Sequence, residues 1–263
     1  MPRLGVLGWP AAHSRSPAMH NAALAELGLH GWRYQALPVP PELFEQTTRA
    51  LGESGFVGAN VTIPHKHAAL ALADGASEAA RAIGAANTLS FAPNGAIAAE
   101  NTDAPGLLEA IGQPLSGLRA LVLGAGGSAR AAVWALREAG AAEVSIWNRT
   151  SGRATALAGD LGARAVARPL PADVLVNCTA VGLQAAPDEL SQLALDAARL
   201  GDYALVVDLV YRAGGTELAR AAREHGARTV DGIDVLVAQG ALSLELWTGR
   251  AAPRATMLAA ARD

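Results

Sequence analysis

The chain has 263 residues, of which 51% are apolar and 17% charged, with a formal net charge of −3. That is enough apolar material for a large core at a size where one core tends to divide in two, and it excludes a disordered chain. The charge balance argues against a nucleic-acid binder, the single Cys178 excludes an internal disulfide framework or a multi-cysteine metal site, and no apolar run reaches the roughly 18 residues of a membrane span.

In chain order, Leu4–Leu7 reads as a strand close to the N-terminus, without the long apolar segment of a signal peptide. The protein therefore reads as soluble and cytoplasmic. Ser16-Pro17 starts a helix, with Ser at the N-cap and Pro at the first helical position, and Gly28 ends it. Trp32–Leu37 reads as a strand, Glu42–Leu51 as a helix and Phe56–Val61 as a strand, followed by short helices over Lys66–Leu72 and Ser77–Ile83. Asn87–Ala92 and Ala96–Glu100 flank Asn94-Gly95, a hairpin signal. After Asp103, the mostly apolar Leu118–Leu123 runs into Gly124-Ala125-Gly126-Gly127-Ser128-Ala129 and an amphipathic helix to about Ala139. Glu143–Trp147, Val174–Cys178 and Leu205–Leu209 are further buried strands with helical patterns between them, and Cys178 reads as a small buried residue. The last helices, about Val235–Trp247 and Arg254–Ala261, follow no further strand. Strands alternating with helices predict an α/β fold with a parallel sheet and right-handed crossovers.

Gly124, Gly126 and Ala129 fit the dinucleotide fingerprint G-x-G-x-x-G/A between a strand and a helix. The first position permits the tight turn, the second lets backbone approach a pyrophosphate, and the third allows close helix–strand packing. A tight strand–helix turn alone also needs glycine. After Trp147 the chain reads Asn148-Arg149-Thr150-Ser151-Gly152-Arg153, with no carboxylate where an NAD ribose ligand is expected. Two guanidinium groups suit a 2′-phosphate, hence NADP, the plainer alternative being a solvated arginine pair.

His13-Ser14-Arg15-Ser16-Pro17 places two hydroxyls at a helix start, where a bound anion or simple capping are both served. Asn60-Val61-Thr62-Ile63-Pro64-His65-Lys66 falls at the C-terminal end of a strand, where α/β sheets bind ligands. Lys66 there is a partly desolvated amine or an ordinary solvated one. Asn87-Thr88, Asn101-Thr102-Asp103 and Gln239-Gly240 add amides and a carboxylate, suggesting a polyol site. Each also serves as a cap or turn, and Asp103 before Ala104-Pro105 reads as an N-cap. His65-x-His67 lacks a third clustered metal ligand.

These residues carry a family likeness. His13–Pro17, Asn60–Lys66, Gly84–Thr88, Asn101–Asp103, Gly124–Arg130, Asn148–Thr150, Asp208–Tyr211, Gln239-Gly240 and Glu245–Gly249, in this order, resemble the shikimate dehydrogenase family over almost the whole chain. The resemblance implies an N-terminal open α/β substrate and catalytic domain (1–103) completed by C-terminal helices (233–263), with a Rossmann NADP-binding domain (104–232) between. It implies reversible NADPH-linked reduction of 3-dehydroshikimate to shikimate, with Lys66 and Asp103 as the catalytic pair. Ser14 and Ser16 would clamp the carboxylate, and Asn60, Thr62, Asn87, Asp103, Tyr211 and Gln239 would contact ring hydroxyls. Gly124, Ala125, Gly126, Gly127, Ser128 and Ala129 would hold the pyrophosphate, and Asn148, Arg149, Thr150 and Arg153 the 2′-phosphate. Leu209 and Gly232 would line the nicotinamide, with Glu78 near the cofactor. No metal, nucleic acid or membrane is implied, and a homodimer is the assembly to test. The chain reads Asp234-Val235 where many members read Gly-Met, and has no proline shortly after Tyr211. An NAD-linked quinate/shikimate dehydrogenase and a non-catalytic nucleotide-binding relative are the rival readings.

Overall fold

Residues 1–11 and 13–263 are described by the structure, a computed structural model. The chain opens with β1 (Arg3–Gly8), α1 (Ser16–Glu26), β2 (Arg33–Pro38), a 3-10 turn at Pro41–Leu43, α2 (Phe44–Glu53) and β3 (Phe56–Val61). It continues through α3 (Lys66–Leu72), β4 (Gly75–Ala76), α4 (Glu78–Ile83), β5 (Thr88–Phe91), β6 (Ile97–Glu100) and α5 (Asp103–Ile111). These strands form one mixed sheet in the order β2-β1-β3-β5-β6-β4. Pairing is parallel around β1 and antiparallel from β3 through β5 to β6. Leu7, Phe44, Phe56, Val61, Leu89 and Ile97 are buried together on this sheet. The hairpin closes between Ala92 and Ala96 around Pro93-Asn94-Gly95, with Gly95 at φ +85°.

The second sheet is built from β7 (Arg119–Leu123), α6 (Gly127–Glu138), β8 (Glu143–Trp147), α7 (Ser151–Leu161), β9 (Arg164–Ala165) and β10 (Val174–Asn177). After α8 (Glu189–Gln192) and a 3-10 turn at Ala197–Asp202 come β11 (Leu205–Asp208), α9 (Glu217–Glu224) and β12 (Arg228–Val230). Its order is β12-β11-β10-β7-β8-β9, parallel throughout, which is the doubly wound arrangement with its switch point between β7 and β10. β7, β10 and β11 carry buried apolar runs, as a strand covered on both faces requires. The chain ends with α10 (Gly232–Thr248) and α11 (Arg254–Arg262).

Contacts divide the chain into one unit of residues 1–106 and 236–263 and a second of residues 107–235. The crossings fall inside α5 and α10, a few residues later than the sequence-based boundaries at 103/104 and 232/233.

Several local expectations change. Ser16 is the first helical residue of α1 and Arg15 the N-cap, because Pro17 is accommodated at the second position. Ser14 lies outside, its Oγ accepting from the Ser16 N–H at 3.2 Å. Asp103 does not cap α5; Asn101 Oδ1 accepts from the Ala104 N–H at 3.2 Å instead. Glu42–Leu51 divides into the 3-10 turn and α2. Strands β4, β9 and β12 were not expected; each has two or three residues, too few to show a period. Cys178 lies just past β10 and is only half-buried.

Candidate active site

Lys66 is the first residue of α3, five positions after β3 ends, so its side chain issues from the C-terminal edge of the first sheet. It is 7% exposed and forms a salt bridge from Nζ to Asp103 Oδ2. Asp103 opens α5 directly after β6. Its other oxygen, Oδ1, accepts from Asn87 Nδ2 at 2.9 Å. Gln239 Oε1 at 3.0 Å and Thr102 Oγ1 at 2.9 Å also lie within hydrogen-bond reach of Asn87 Nδ2, whose two protons are shared among the three acceptors. Four segments thus converge on a short arc of polar atoms. One glycine permits it: a Cβ on Gly106 would stand 2.6 Å from the Gln239 backbone nitrogen, so α5 and α10 approach this closely only without a side chain there.

Asn60 belongs to the same cluster but faces inward. Its Oδ1 accepts from the Tyr34 hydroxyl at 2.8 Å, and its Nδ2 donates to Ser243 Oγ at 2.9 Å. Thr62 is half-buried beyond the end of β3, with its N–H donating to the Leu7 carbonyl at 2.9 Å. Ser14 is half-buried and Ser16 buried. Glu78 is exposed in the first turn of α4, apart from the residues gathered around Lys66. Tyr34, Thr88, Thr102 and Ser243 are participants in this cluster that the sequence reading did not assign. His65 turns away, its Nε2 donating to the Val39 carbonyl at 2.7 Å and its ring stacked on Phe44; burial pulls its pKa down. Behind the cluster, His20 is fully buried and stacked on Tyr34 at 4.1 Å, with neither ring nitrogen hydrogen-bonded. Burial pushes its pKa down to about 3, so it is neutral at physiological pH.

The second unit offers a different kind of site. Gly124 follows β7 at φ +110°, and a Cβ there would lie 3.1 Å from the Cys178 carbonyl group. Both the twist and the approach of the β10 loop demand glycine. Gly126 is the exposed N-cap of α6, has open space where a Cβ would be, and supplies no side-chain cap. The first N–H groups of α6, from Gly127, Ser128 and Ala129 onward, are thus placed for an anion. Ala129 is buried against the sheet and Ala125 half-buried. After β8, Arg149, Thr150 and Arg153 are exposed, while Asn148 Nδ2 donates to the Thr150 carbonyl at 2.9 Å and shapes the turn. This set of helix-start N–H groups and guanidinium donors fits a dinucleotide bearing an extra phosphate. Gly232 packs its backbone on Leu209, where a Cβ would meet the carbonyl oxygen at 2.5 Å.

The loop carrying Leu209 and the half-buried Tyr211 is stitched by two carboxylates. Asp208 accepts from Thr216 Oγ1 at 2.6 Å, Asn177 Nδ2 at 2.9 Å and the Val210 N–H at 3.1 Å. Burial outweighs these donors and pushes its pKa up to about 6. Arg212 donates to the Gly215 carbonyl at 2.8 Å, the Gly182 carbonyl at 2.9 Å and Glu189 Oε1 at 2.5 Å. Burial would raise the Glu189 carboxyl, but the Glu217 N–H and the Arg212 guanidinium overcome it and hold it below its usual range. Shortly past Tyr211 the chain has no proline, and the Arg212–Glu189 ion pair tethers the turn instead.

Among the described residues no helix is long and apolar enough to cross a membrane. Residues 6–89 match the family model for the shikimate dehydrogenase substrate binding domain, and residues 106–209 that for shikimate/quinate 5-dehydrogenase. Residues 232–262 match the shikimate 5′-dehydrogenase C-terminal domain. The chain is 48% identical to the shikimate dehydrogenase (NADP(+)) of Thermus thermophilus, over 95% of this chain and 93% of that one. It is 44% identical to that of Methylobacterium radiotolerans, over 100% and 95%. The crystal structure of the shikimate 5-dehydrogenase from Thermus thermophilus in complex with NADP(H) and shikimate superposes with a TM-score of 0.88 at 45% identity. The match covers 100% of this chain and 99% of that one.

Proposed function

The chain belongs to the shikimate dehydrogenase family, and from that premise we propose that it reversibly reduces 3-dehydroshikimate to shikimate with NADPH, a step toward chorismate and the aromatic amino acids. The observation that carries this reading is the ion pair of the buried Lys66 with the half-buried Asp103, with Asn87 bridging the same carboxylate to Gln239.

NADPH, when bound, supplies the hydride to the C3 carbonyl. The residues handle the charge that follows. Negative charge develops on the C3 oxygen, and Lys66 Nζ gives it a proton; in the reverse direction the amine takes that proton back. Asp103 keeps the ammonium aimed and accepts from the neighbouring ring hydroxyl. Positioned proton transfer of this kind contributes about 10²–10⁴ in rate. Asn87, Gln239, Thr62 and Tyr211 bind further hydroxyls, while Ser14 and Ser16 donate to the substrate carboxylate at the start of α1. The turn from Gly124 to Ala129 holds the pyrophosphate with backbone N–H groups, and Arg149 and Arg153, with Asn148 and Thr150, hold the 2′-phosphate. Leu209 and Gly232 form the nicotinamide wall, and Glu78 is a cofactor-side carboxylate in this reading. The location is cytoplasmic and the partners are these small molecules, with a homodimer to be checked by light scattering.

The test is an absorbance assay at the NADPH band with NADPH or NADH and with shikimate or quinate. Turnover of shikimate with a clear NADP(H) preference is expected. A preference for quinate with NAD(H), or no turnover at all, overturns the reading.

A further inference from the structure

Behind the Lys66–Asp103 pair lies a hydroxyl triangle that no ligand-binding role explains. Thr88 on β5, Thr102 after β6 and Ser243 on α10 are 1%, 3% and 0% exposed. Their oxygens approach one another along all three edges, 2.8 Å for Thr88–Ser243, 3.0 Å for Thr102–Ser243 and 3.1 Å for Thr88–Thr102, and each hydroxyl has one proton to give. Each of them touches Asn87 or Gln239, the two amides beside the Lys66–Asp103 pair. Thr102 Oγ1 accepts from Asn87 Nδ2, and the Thr102 N–H donates to Asn87 Oδ1 at 2.7 Å, so both ends of that amide are fixed by one residue. Thr88 Oγ1 donates to the same Oδ1 at 3.2 Å.

Ser243 also donates to the Gln239 carbonyl at 3.1 Å, one helical turn back, which ties the triangle to the residue beside Asn87. From the other side, Asn60 reaches Ser243 and Thr88 with its Nδ2, at 2.9 and 3.3 Å, while Tyr34 fixes its Oδ1. Tyr34 itself is 1% exposed and stacked on His20.

An amide can be rotated by 180° at little steric cost, so its orientation is decided by its hydrogen-bond partners. Reversed, Asn87 would present its carbonyl oxygen to the Asp103 carboxylate, two acceptors face to face. We propose that Thr88 and Ser243, backed by Asn60 and Tyr34, are positioning residues. They fix the Asn87 amide so that its N–H holds Asp103 in the orientation Lys66 needs. Asn60 braces the same network from the β3 side. A fully satisfied buried network is also stiff, and loss of one member loosens all that depend on it.

The inference rests on Lys66 and Asp103 handling the proton, so Lys66→Ala is run alongside. The experiment compares Thr88→Val, which keeps the shape and removes the hydroxyl, with Thr88→Ser, which keeps the hydroxyl, and with Ser243→Ala. Thr88→Val and Ser243→Ala are expected to lower kcat about tenfold. KM for shikimate, and its calorimetric Kd without cofactor, should change less than threefold, and Thr88→Ser should recover kcat to within threefold of wild type. In an Asp103→Asn background, Thr88→Val should lower kcat less than twofold further, because residues acting through one group are not additive. The proposal is overturned by normal kcat in both Thr88→Val and Ser243→Ala, by equal losses in Thr88→Val and Thr88→Ser, or by full additivity with Asp103→Asn. If Lys66→Ala keeps near-normal kcat, the underlying reading fails instead, and the two failures are thereby told apart. Should Thr88→Val not fold, Ser243→Ala in both backgrounds decides alone.

Discussion

In the function proposed above, the polar cluster of the first unit and the β7–α6 turn of the second solve recognition in opposite ways. Around Lys66 the work is done by buried and half-buried side chains drawn from β3, β5, α3, α5 and α10, each orienting the next. Around Gly124 it is done mainly by backbone, a left-handed residue and a helix start without a side-chain cap, joined by two exposed arginine side chains. Side chains in a dry network give exact aim and depend on every neighbour. Backbone N–H groups give a fixed anion site that depends on few residue identities. Chemistry at a single carbon requires the first, whereas gripping a flexible dinucleotide is served by the second.

The largest expected effect breaks the comparison at its more demanding end. Lys66→Ala should lower kcat by about 10²–10⁴ with a smaller change in KM for shikimate. No substitution in the β7–α6 turn should approach this in kcat. Steady-state rates at saturating NADPH check it, and near-normal turnover would remove Lys66 from the chemistry.

Next in size, the two units should respond to acid with opposite signs. His20 is held neutral with its pKa depressed from 6.5 to about 3, so the unfolded chain binds the extra proton. Stability from this group is complete above pH 6.5 and is lost as the pH falls, by about 2 kcal/mol at pH 5. Asp208 has its pKa raised to about 6, so the folded state binds the proton first. Its burial penalty is complete above pH 6 and is relieved as the pH falls toward 4, by about 1 kcal/mol at pH 5. Hydrogen-exchange mass spectrometry at pH 7 and 5, corrected for intrinsic rates, should show protection falling in peptides of residues 1–106 and rising in those of 107–235. His20→Leu should abolish the first trend and Asp208→Asn the second; parallel trends in both units would refute the assignment.

Two glycines sharpen the contrast further. Gly106→Ala would press a methyl group onto the Gln239 backbone, displacing one wall of the side-chain cluster. Gly124→Ala would place an L-residue at φ +110° against the Cys178 carbonyl group. Each strain is worth about 1–2 kcal/mol, a five- to thirtyfold effect on binding. Gly106→Ala should raise KM for shikimate and leave that for NADPH, and Gly124→Ala should do the reverse. A common rise in both constants would mean that each variant merely loosens its unit.

How much of this was legible in sequence follows the same divide. Phe56–Val61, Glu143–Trp147 and Lys66–Leu72 were read to the residue, because apolar runs and nearby punctuation are local signals. The glycine turn was legible because its partners lie within six positions of one another. The triangle behind Asn87 was not: Asn60 and Ser243 are 183 residues apart, and a buried Ser or Thr in a helix or strand looks like any other. Ser16 and Asp103 were assigned as caps on residue type alone, while Pro17 and the pull of Lys66 and Asn87 decided otherwise. Gly106 could have been noticed as a mid-helix glycine with no turn to serve, which signals close packing. The ion pair of Arg212 with Glu189 had no such signal, since the two are brought together only by the fold.

The smallest predicted effect belongs to the exposed arginines, and the reason is physical rather than a matter of importance. Arg149 and Arg153 sit in water, where a charge contact is screened within about 8 Å at physiological salt. Arg149→Ala should therefore raise KM for NADPH about threefold and leave KM for NADH nearly unchanged, shrinking the preference between them. Screening supplies an independent check, because added salt should erode the wild-type preference for NADPH and do little to the variant. The kcat loss of Lys66→Ala, set at a buried amine, should hardly respond to the same salt. A preference that survives both Arg149→Ala and high salt would place 2′-phosphate recognition elsewhere than the β8–α7 turn.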